Sequence, residues 1–314
     1  MNLEFAEHIR LGLSSKNKFL SSKYFYDDEG SNLFNLITKL PEYYLTKCEY
    51  EILDNSKKNI LKRLNLNDNY FSLIELGAGD GQKTKLLLEY FCNEKLNFKY
   101  FPIDISKDAF ALLDENISYM KDRLNVEYLE GDYFKILRNY DFGNGKKLVL
   151  FLGSNIGNFE IENGINFLKL ISININQGDF VLVGFDLKKD PKLILDAYND
   201  NAGITKQFNL NLLKRINSEF NADFDLNNFS HYPSYNPETM ECRSYLVSMK
   251  EQKVIIKDLD LKVKFEYAEI INTELSQKYD LGLIERMGNE AGFIVNNMYF
   301  DCKKYFVDVL FEKK

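Results

Sequence analysis

The chain has 314 residues, 45% of them hydrophobic and 14% aromatic, which excludes intrinsic disorder and allows one large domain or two intertwined ones. Its formal net charge of -7 argues against a general nucleic-acid binder, which would show a basic face. Four scattered cysteines (Cys48, Cys92, Cys242, Cys302) and two histidines (His8, His231) supply neither a zinc site nor a disulfide framework, so no metal is expected.

The opening MNLEFAEHIRLGLSS lacks a secretory apolar core, and no apolar run approaches the roughly 20 residues that span a bilayer. A soluble, cytoplasmic protein without a membrane or obligate protein partner is the expectation. Residues 1 to about 51 do not follow the rhythm of what comes next. From Phe71 strands and helices alternate. FSLIEL (Phe71-Leu76) reads as a strand and Lys83-Phe91 as a helix. FKYFPI (Phe98-Ile103) is a second strand ending at Asp104, and Ser106-Met120 a helix with Ser106 as its N-cap. Val126-Leu129 is a third strand, Lys147-Leu152 a fourth and Phe180-Phe185 a fifth. Such alternation predicts a parallel sheet covered by helices on both faces. Residues 188 to about 278 break the pattern, with helices first (DPKLILDAYND, FNLNLLKRINSEF) and strands after (RSYLVSMK, KVIIK, KVKFEY). GFIVNNMYF (Gly292-Phe300) and KYFVDVLF (Lys304-Phe311) look like an antiparallel pair at a sheet edge.

In an open parallel sheet the ligand sits beyond the carboxyl ends of the strands, so the polar residues there describe it. The first strand ends in Gly77-x-Gly79-x-Gly81, where backbone must come close to something. The second ends in Asp104, able to accept hydrogen bonds from a ribose diol. The third is followed by Asp132 and Tyr133, suited to an exocyclic amine and a ring face. This is an adenosine site without a phosphate clamp: neither G-x-G-x-x-G nor G-K-[ST] is present. The plainer alternatives are an ordinary strand-to-helix turn for the glycines, a helix N-terminal charge for Asp104 and a surface lysine for Lys83.

These features resemble the class I S-adenosylmethionine-dependent methyltransferases. A sharper resemblance is carried by KYFYDDEGSNLFNLITKLPEYYLTKCEYEIL (Lys23-Leu53), FLGSNIGNF (Phe151-Phe159), DAYNDNAGITKQFNLNLLKRIN (Asp196-Asn217) and INTELSQKY (Ile271-Tyr279). They resemble the L-histidine Nα-methyltransferases of ergothioneine biosynthesis, which trimethylate the histidine α-amine to give hercynine. The resemblance runs from about residue 20 to the C-terminus. It implies a Rossmann-like α/β methyltransferase sheet, parallel with a C-terminal antiparallel pair, formed by residues 52-187 and 279-314. It implies a second, α+β substrate lobe from residues 1-51 and 188-278.

By position, the resemblance assigns Gly77, Lys83, Asp104, Asp132 and Tyr133 to S-adenosylmethionine. Tyr43, Asn158 and Tyr198 would hold the amino acid's α-carboxylate and amine, with Gly153 offering backbone beside them. Tyr26 and Phe34 would line the pocket near the methylated nitrogen, Thr205 belongs to the same motif, and Glu274 and Ser276 would contact the imidazole. Tyr26, Tyr43, Asn158 and Tyr198 are the implied catalytic set. The chain departs from the family where histidine enzymes carry a Glu-Met pair. Arg243-Ser244 stands there, while Met240-Glu241 lies slightly earlier, so either a bulge shifts the strand or the pocket differs. The same family includes enzymes for tryptophan derivatives. A different amino acid therefore stays open as the substrate, as does a ligand-binding protein that has lost turnover.

Overall fold

The computed structural model describes residues 2-66 and 69-314. The chain opens with α1 (Leu3-Ser14), the short strand β1 (Lys18-Phe19) and α2 (Asp28-Ile37). A 21-residue helix, α3 (Tyr44-Leu64), leads into the alternating region. There follow β2 (Phe71-Leu76), α4 (Lys85-Asn93), β3 (Phe98-Asp104), α5 (Lys107-Ile117), β4 (Asn125-Val126), β5 (Leu129-Glu130), α6 (Tyr133-Asn139), β6 (Lys146-Phe151), α7 (Ile161-Ile173) and β7 (Phe180-Asp186). Next come α8 (Pro191-Ala197), α9 (Ile204-Phe220), β8 (Phe229-Asn236), β9 (Glu241-Ser248), β10 (Gln252-Ile256), β11 (Leu261-Phe265) and β12 (Ile270-Gln277). The chain ends with α10 (Leu281-Glu290), β13 (Phe293-Phe300) and β14 (Phe306-Lys313).

The chain divides into two compact units, residues 1-44 with 189-276, and residues 45-188 with 277-314. In the second unit the strands run in the order β13-β14-β7-β6-β2-β3-β4, with β5 also on β3. β2, β3, β6 and β7 are parallel, and β14 joins β7 antiparallel. Every residue of β2 and β7 is buried, as expected of central strands covered on both faces. The order reverses at β2, between β3 and β6, so ligand chemistry is expected beyond those strand ends. α7 and α10 pack on one face through Ile165, Leu168, Ile284 and Met287 against Val181, Val183 and Phe311.

Four details depart from the sequence expectations. The third strand is two separate pairs, β4 and β5, because the ladder with β3 takes in Asn125-Val126 and Leu129-Glu130 and leaves out the two residues between them. α4 starts at Lys85, not Lys83, since the Thr84 hydroxyl bonds buried Glu75 and does not cap the helix. α3 runs unbroken through residue 51. Its face of Leu45, Cys48, Glu49, Ile52 and Leu53 is buried, and from Leu45 it belongs with the sheet unit. β8, with the polar sequence FSHYPSYN, has no counterpart in the sequence reading. It is an edge strand, where Pro233 is tolerated because a missing N-H costs nothing on the open side.

In the first unit, β1, β12, β9 and β8 form one sheet and β10-β11 a separate hairpin. α9 supplies the core with Phe208, Leu212, Ile216 and Phe220, each four residues after the last on one face, against Phe5, Ile9, Phe229, Leu246 and Phe265. Among the described residues no helix is long and apolar enough to cross a membrane.

Candidate active site

In the sheet unit, β2 ends in three glycines with positive φ: Gly77 (72°), Gly79 (56°) and Gly81 (66°). Each occupies the left-handed region that penalises a side chain. At Gly79 a side chain would meet nothing within 4 Å, so the backbone there is open to a ligand. The Gly79 N-H donates to Asp104 Oδ2 at 2.9 Å and the Ser106 N-H to Asp104 Oδ1 at 3.0 Å. Asp104 thus closes the glycine turn from the end of β3. Each carboxylate oxygen has two acceptor sites, so capacity for a diol is left over. Burial pushes the Asp104 carboxyl up, against the pull of these N-H donors. Ser106 caps α5 by accepting from the Ala109 N-H at 3.3 Å, as the sequence indicates.

Asp132 is the N-cap of α6, its Oδ1 accepting from the Phe134 and Lys135 N-H groups at 2.8 and 3.3 Å. Tyr133 beside it packs on Phe151 and Phe167, and burial raises its phenol. An open glycine turn, a diol-sized acceptor at the next strand end and an aromatic face at the third fit S-adenosylmethionine. Each of them is a side chain or backbone stretch of the sheet unit.

Gly153 and Ser154 follow β6 with successive positive φ values of 79° and 58°. A single helical turn from Asn155 to Asn158 comes next, and Asn158 itself is exposed. The Asn155 amide lies closer to the glycine turn: its Nδ2 would be 3.4 Å from a side chain at Gly77 and 3.7 Å from one at Gly153. Lys83 forms an ion pair with Glu49, a residue on α3 that nothing in the sequence singles out. Burial lowers the lysine's pKa, but the Glu49 carboxylate outweighs it and leaves it raised.

In the other unit, the chain turns out of its first short helical turn at Tyr26. Tyr26 meets Phe34 edge-on at 5.6 Å, and Phe34 meets Tyr43 at 6.2 Å. Phe208 of α9 completes the cluster, 5.8 Å from Tyr26 and 5.9 Å from Phe34. Asp27 orients this segment: it caps α2 through the Gly30 N-H at 2.7 Å and accepts from Asn211 Nδ2 at 2.8 Å. Thr205 lies buried in the first turn of α9, its N-H given to Asp200 Oδ1 at 2.7 Å.

Tyr198 and Ser276 are brought together directly, the phenol donating to the serine Oγ at 2.6 Å. Glu274 is held from β9, where the Ser244 hydroxyl donates to its Oε2 at 2.9 Å. Ser244 is buried, and a polar chain runs behind it. The Thr273 hydroxyl is shared between the Ser244 carbonyl (3.0 Å) and Asn209 Oδ1 (2.8 Å), and Asn209 Nδ2 donates to the Thr205 carbonyl at 3.1 Å. The register from Phe229↔Ser248 to Asn236↔Glu241 runs without a shift. Met240 is therefore in the turn, with φ 60°, and Arg243 pairs with Glu241 on the opposite face from Ser244. The β8-β9 ladder carries no bulge, so the strand is not shifted to bring Met240 into the place of Ser244.

Among the described residues one group could hold a metal, Glu51, Asp301 and Cys302, with ligand atoms within 4.8 Å of one another. Its acids are occupied by backbone. Asp301 accepts from the Lys303, Tyr305 and Phe306 N-H groups, and Glu51 from that of Cys302.

Residues 5-313 match the family described as histidine-specific methyltransferase, SAM-dependent. The histidine N-alpha-methyltransferase of Mycolicibacterium smegmatis is 35% identical over 271 residues, covering 86% of this chain and 83% of the relative. The enzyme of the same name from Mycobacterium tuberculosis is 34% identical over 278 residues, covering 88% and 85%. More distantly, the L-tryptophan methyltransferase of Psilocybe serbica is 25% identical, covering 92% of this chain and 87% of that one. An S-adenosylmethionine-dependent methyltransferase from Clostridium acetobutylicum shares the fold, with a TM-score of 0.50, 12% identity and coverage of 90% of this chain and 98% of that one. The matched length and the relatives' identity place this chain in the family of histidine-specific, S-adenosylmethionine-dependent methyltransferases.

Proposed function

We propose that this enzyme methylates the α-amine of L-histidine, three times in succession, to give hercynine, the betaine used in ergothioneine biosynthesis. The observation that supports histidine is the Ser244-Glu274 hydrogen bond. It fixes a half-buried carboxylate on β12, one residue from the Thr273-Asn209 chain and two from the Tyr198-Ser276 pair. A carboxylate so held accepts an imidazole N-H and penalises a side chain without a donor, because its own hydrogen-bonding capacity would go unmet.

S-adenosylmethionine supplies an electrophilic methyl group. The protein's work is to hold the amine in line with it and to present that amine unprotonated. We assign Tyr26, Phe34 and Tyr43 to the surroundings of the amine. Such an aromatic setting disfavours the ammonium over the free amine by desolvation, and its ring faces accommodate the quaternary product through cation-π attraction. Tyr198, held by Ser276, is assigned to the amino acid's α-carboxylate and amine, and so, from the sheet unit, are Asn158 and the Gly153 backbone. Thr205 shares that recognition motif, and Ser276 joins Glu274 at the imidazole. Asp104, Asp132, Tyr133, Gly77 and Lys83 are assigned to the cofactor. Residues 1-44 and 189-276 are accordingly the amino-acid unit, and the sheet unit is the cofactor unit. The reaction takes place in the cytoplasm and calls for no nucleic-acid, membrane or obligate protein partner.

The test is Glu274→Ala. Its KM for histidine should rise about tenfold or more while that for S-adenosylmethionine stays within about twofold, the signature of one lost charge-assisted hydrogen bond. Equal changes in both constants would remove Glu274 from the substrate. The second reading, a larger aromatic amino acid, is favoured by Ser244, a small residue where histidine enzymes carry methionine. Faster turnover of tryptophan than of histidine by the unaltered enzyme would establish it.

A further inference from the structure

Glu49 is completely buried on α3, within the sheet unit. A lone carboxylate there would cost several kcal/mol, so its partners explain its presence. Both of its oxygens lie within hydrogen-bond distance of the Gly153 N-H, at 2.8 and 2.9 Å, and Oε2 also takes the Lys83 ammonium. Lys83 stands in the segment between Gly81 and α4. Its Nζ would be 3.2 Å from a side chain on Gly153, so any residue but glycine there would crowd the ammonium.

The surroundings are shaped for this carboxylate. Gly184 of β7 leaves the space it fills, since a side chain there would collide with Glu49 Oε1. Asp308 faces Gly184 across the β14-β7 ladder, and both of its oxygens are buried. The Gly153-Ser154 turn carries two consecutive left-handed residues, one of them not glycine, and such backbone persists only where its surroundings over-determine it. Glu49 holds that turn at its N-H. The Ser154 hydroxyl anchors the other end by accepting from the Asp186 N-H at 3.3 Å.

We propose that Glu49 is a positioning residue, whose carboxylate fixes the Lys83 ammonium of the glycine-turn segment and the Gly153 N-H of the strand-end turn at a single point. The inference rests on the assignment of Lys83 to the cofactor and of Gly153 to the substrate. Without Glu49 the lysine loses its anchor and the β6 turn its acceptor. A hydrophobic residue could fill the same space but could not set the distance between the two segments.

Calorimetric titration of S-adenosylmethionine into purified variants tests this. Glu49→Gln keeps a carbonyl acceptor for Gly153 and drops the charge that holds Lys83. Its affinity should fall about tenfold, the scale of one charge-assisted contact. Lys83→Met should produce a similar loss, and the double variant no more than either single one, because both remove the same coupling. Gly184→Ala displaces the carboxylate while keeping its charge and should weaken binding in the same direction, giving a second route if Glu49→Gln fails to fold. Affinities within about twofold of the unaltered enzyme in folded Glu49→Gln and Gly184→Ala, with only the melting temperature lowered, would reduce Glu49 to a packing role. Losses that add fully in the double variant would also overturn the proposal. The readout is cofactor binding, so an enzyme that binds S-adenosylmethionine but leaves histidine unmethylated refutes the substrate assignment and leaves this test intact.

Discussion

Glu75, the acid just before the glycine turn, should make the enzyme less stable as pH rises through the neutral range. It is 3% exposed and bonded by the Thr84 hydroxyl and the Tyr100 phenol. Burial pushes its carboxyl from 4.5 up to about 7, against the opposing pull of those two hydroxyls. The sign follows from proton uptake. Below pH 4.5 both folded and unfolded chains hold the proton. Between 4.5 and about 7 the unfolded chain ionises while the folded one does not, so unfolding becomes easier; above about 7 the loss is complete. At 1.36 kcal/mol per unit, this shift corresponds to about 3 kcal/mol. Glu75→Gln removes the titration and keeps polar partners for Thr84 and Tyr100. Urea unfolding of both proteins at pH 5 and pH 8, followed by circular dichroism, isolates the effect from every other titrating group. The variant's stability relative to the unaltered enzyme should improve by about 2-3 kcal/mol between the two pH values. An unchanged difference, or one moving the other way, would refute the argument that Glu75 is held as a neutral acid.

Other expectations follow from the same geometry. Asp104→Ala should weaken S-adenosylmethionine binding by about tenfold or more in calorimetry, since it removes both the acceptor and the clamp on Gly79. Ser244→Ala, which removes the hydroxyl that donates to Glu274, should raise the KM for histidine several-fold and leave that for the cofactor alone, and Ser244→Thr should recover part of the loss. His231 is pulled down to about 4, first by burial and further by Lys206, against the raising effect of Asp200. Its stabilising contribution is complete above 6.5 and lost as pH falls toward 4, and an NMR titration of its ring protons should show a midpoint near 4.

The sheet was legible because its central strands are continuous apolar runs, a pattern that only doubly covered strands produce. β2 matches its sequence boundaries residue for residue. Polar strands were not legible. β8 carries two tyrosines, a histidine and a proline within eight residues, and its edge position makes the proline workable. β4 and β5 read as one strand because their apolar residues run together, while the backbone bonds that separate them leave no trace in composition.

Of the candidate residues, Gly77, Gly79 and Gly81 were identifiable because positive φ selects glycine, and Asp104 because strand ends select acids near a turn. Glu49 was not, because a glutamate on a helix ordinarily reads as solvated and its partners lie 34 and 104 residues away. Asn155, in the same SNIGN motif as Asn158, carries no signal of its own in the sequence. Spacing alone does not tell which amide meets the glycine turn. The Ser244-Glu274 bond spans two strands 30 residues apart, and only the unshifted β8-β9 register reveals which face Ser244 occupies.

The most direct test of the account is mass spectrometry of the purified enzyme incubated with S-adenosylmethionine and, separately, each common amino acid. Trimethylated histidine should be the dominant product, with mono- and dimethylated histidine as transients. A dominant product from any other amino acid, or none at all while the cofactor binds, would contradict it.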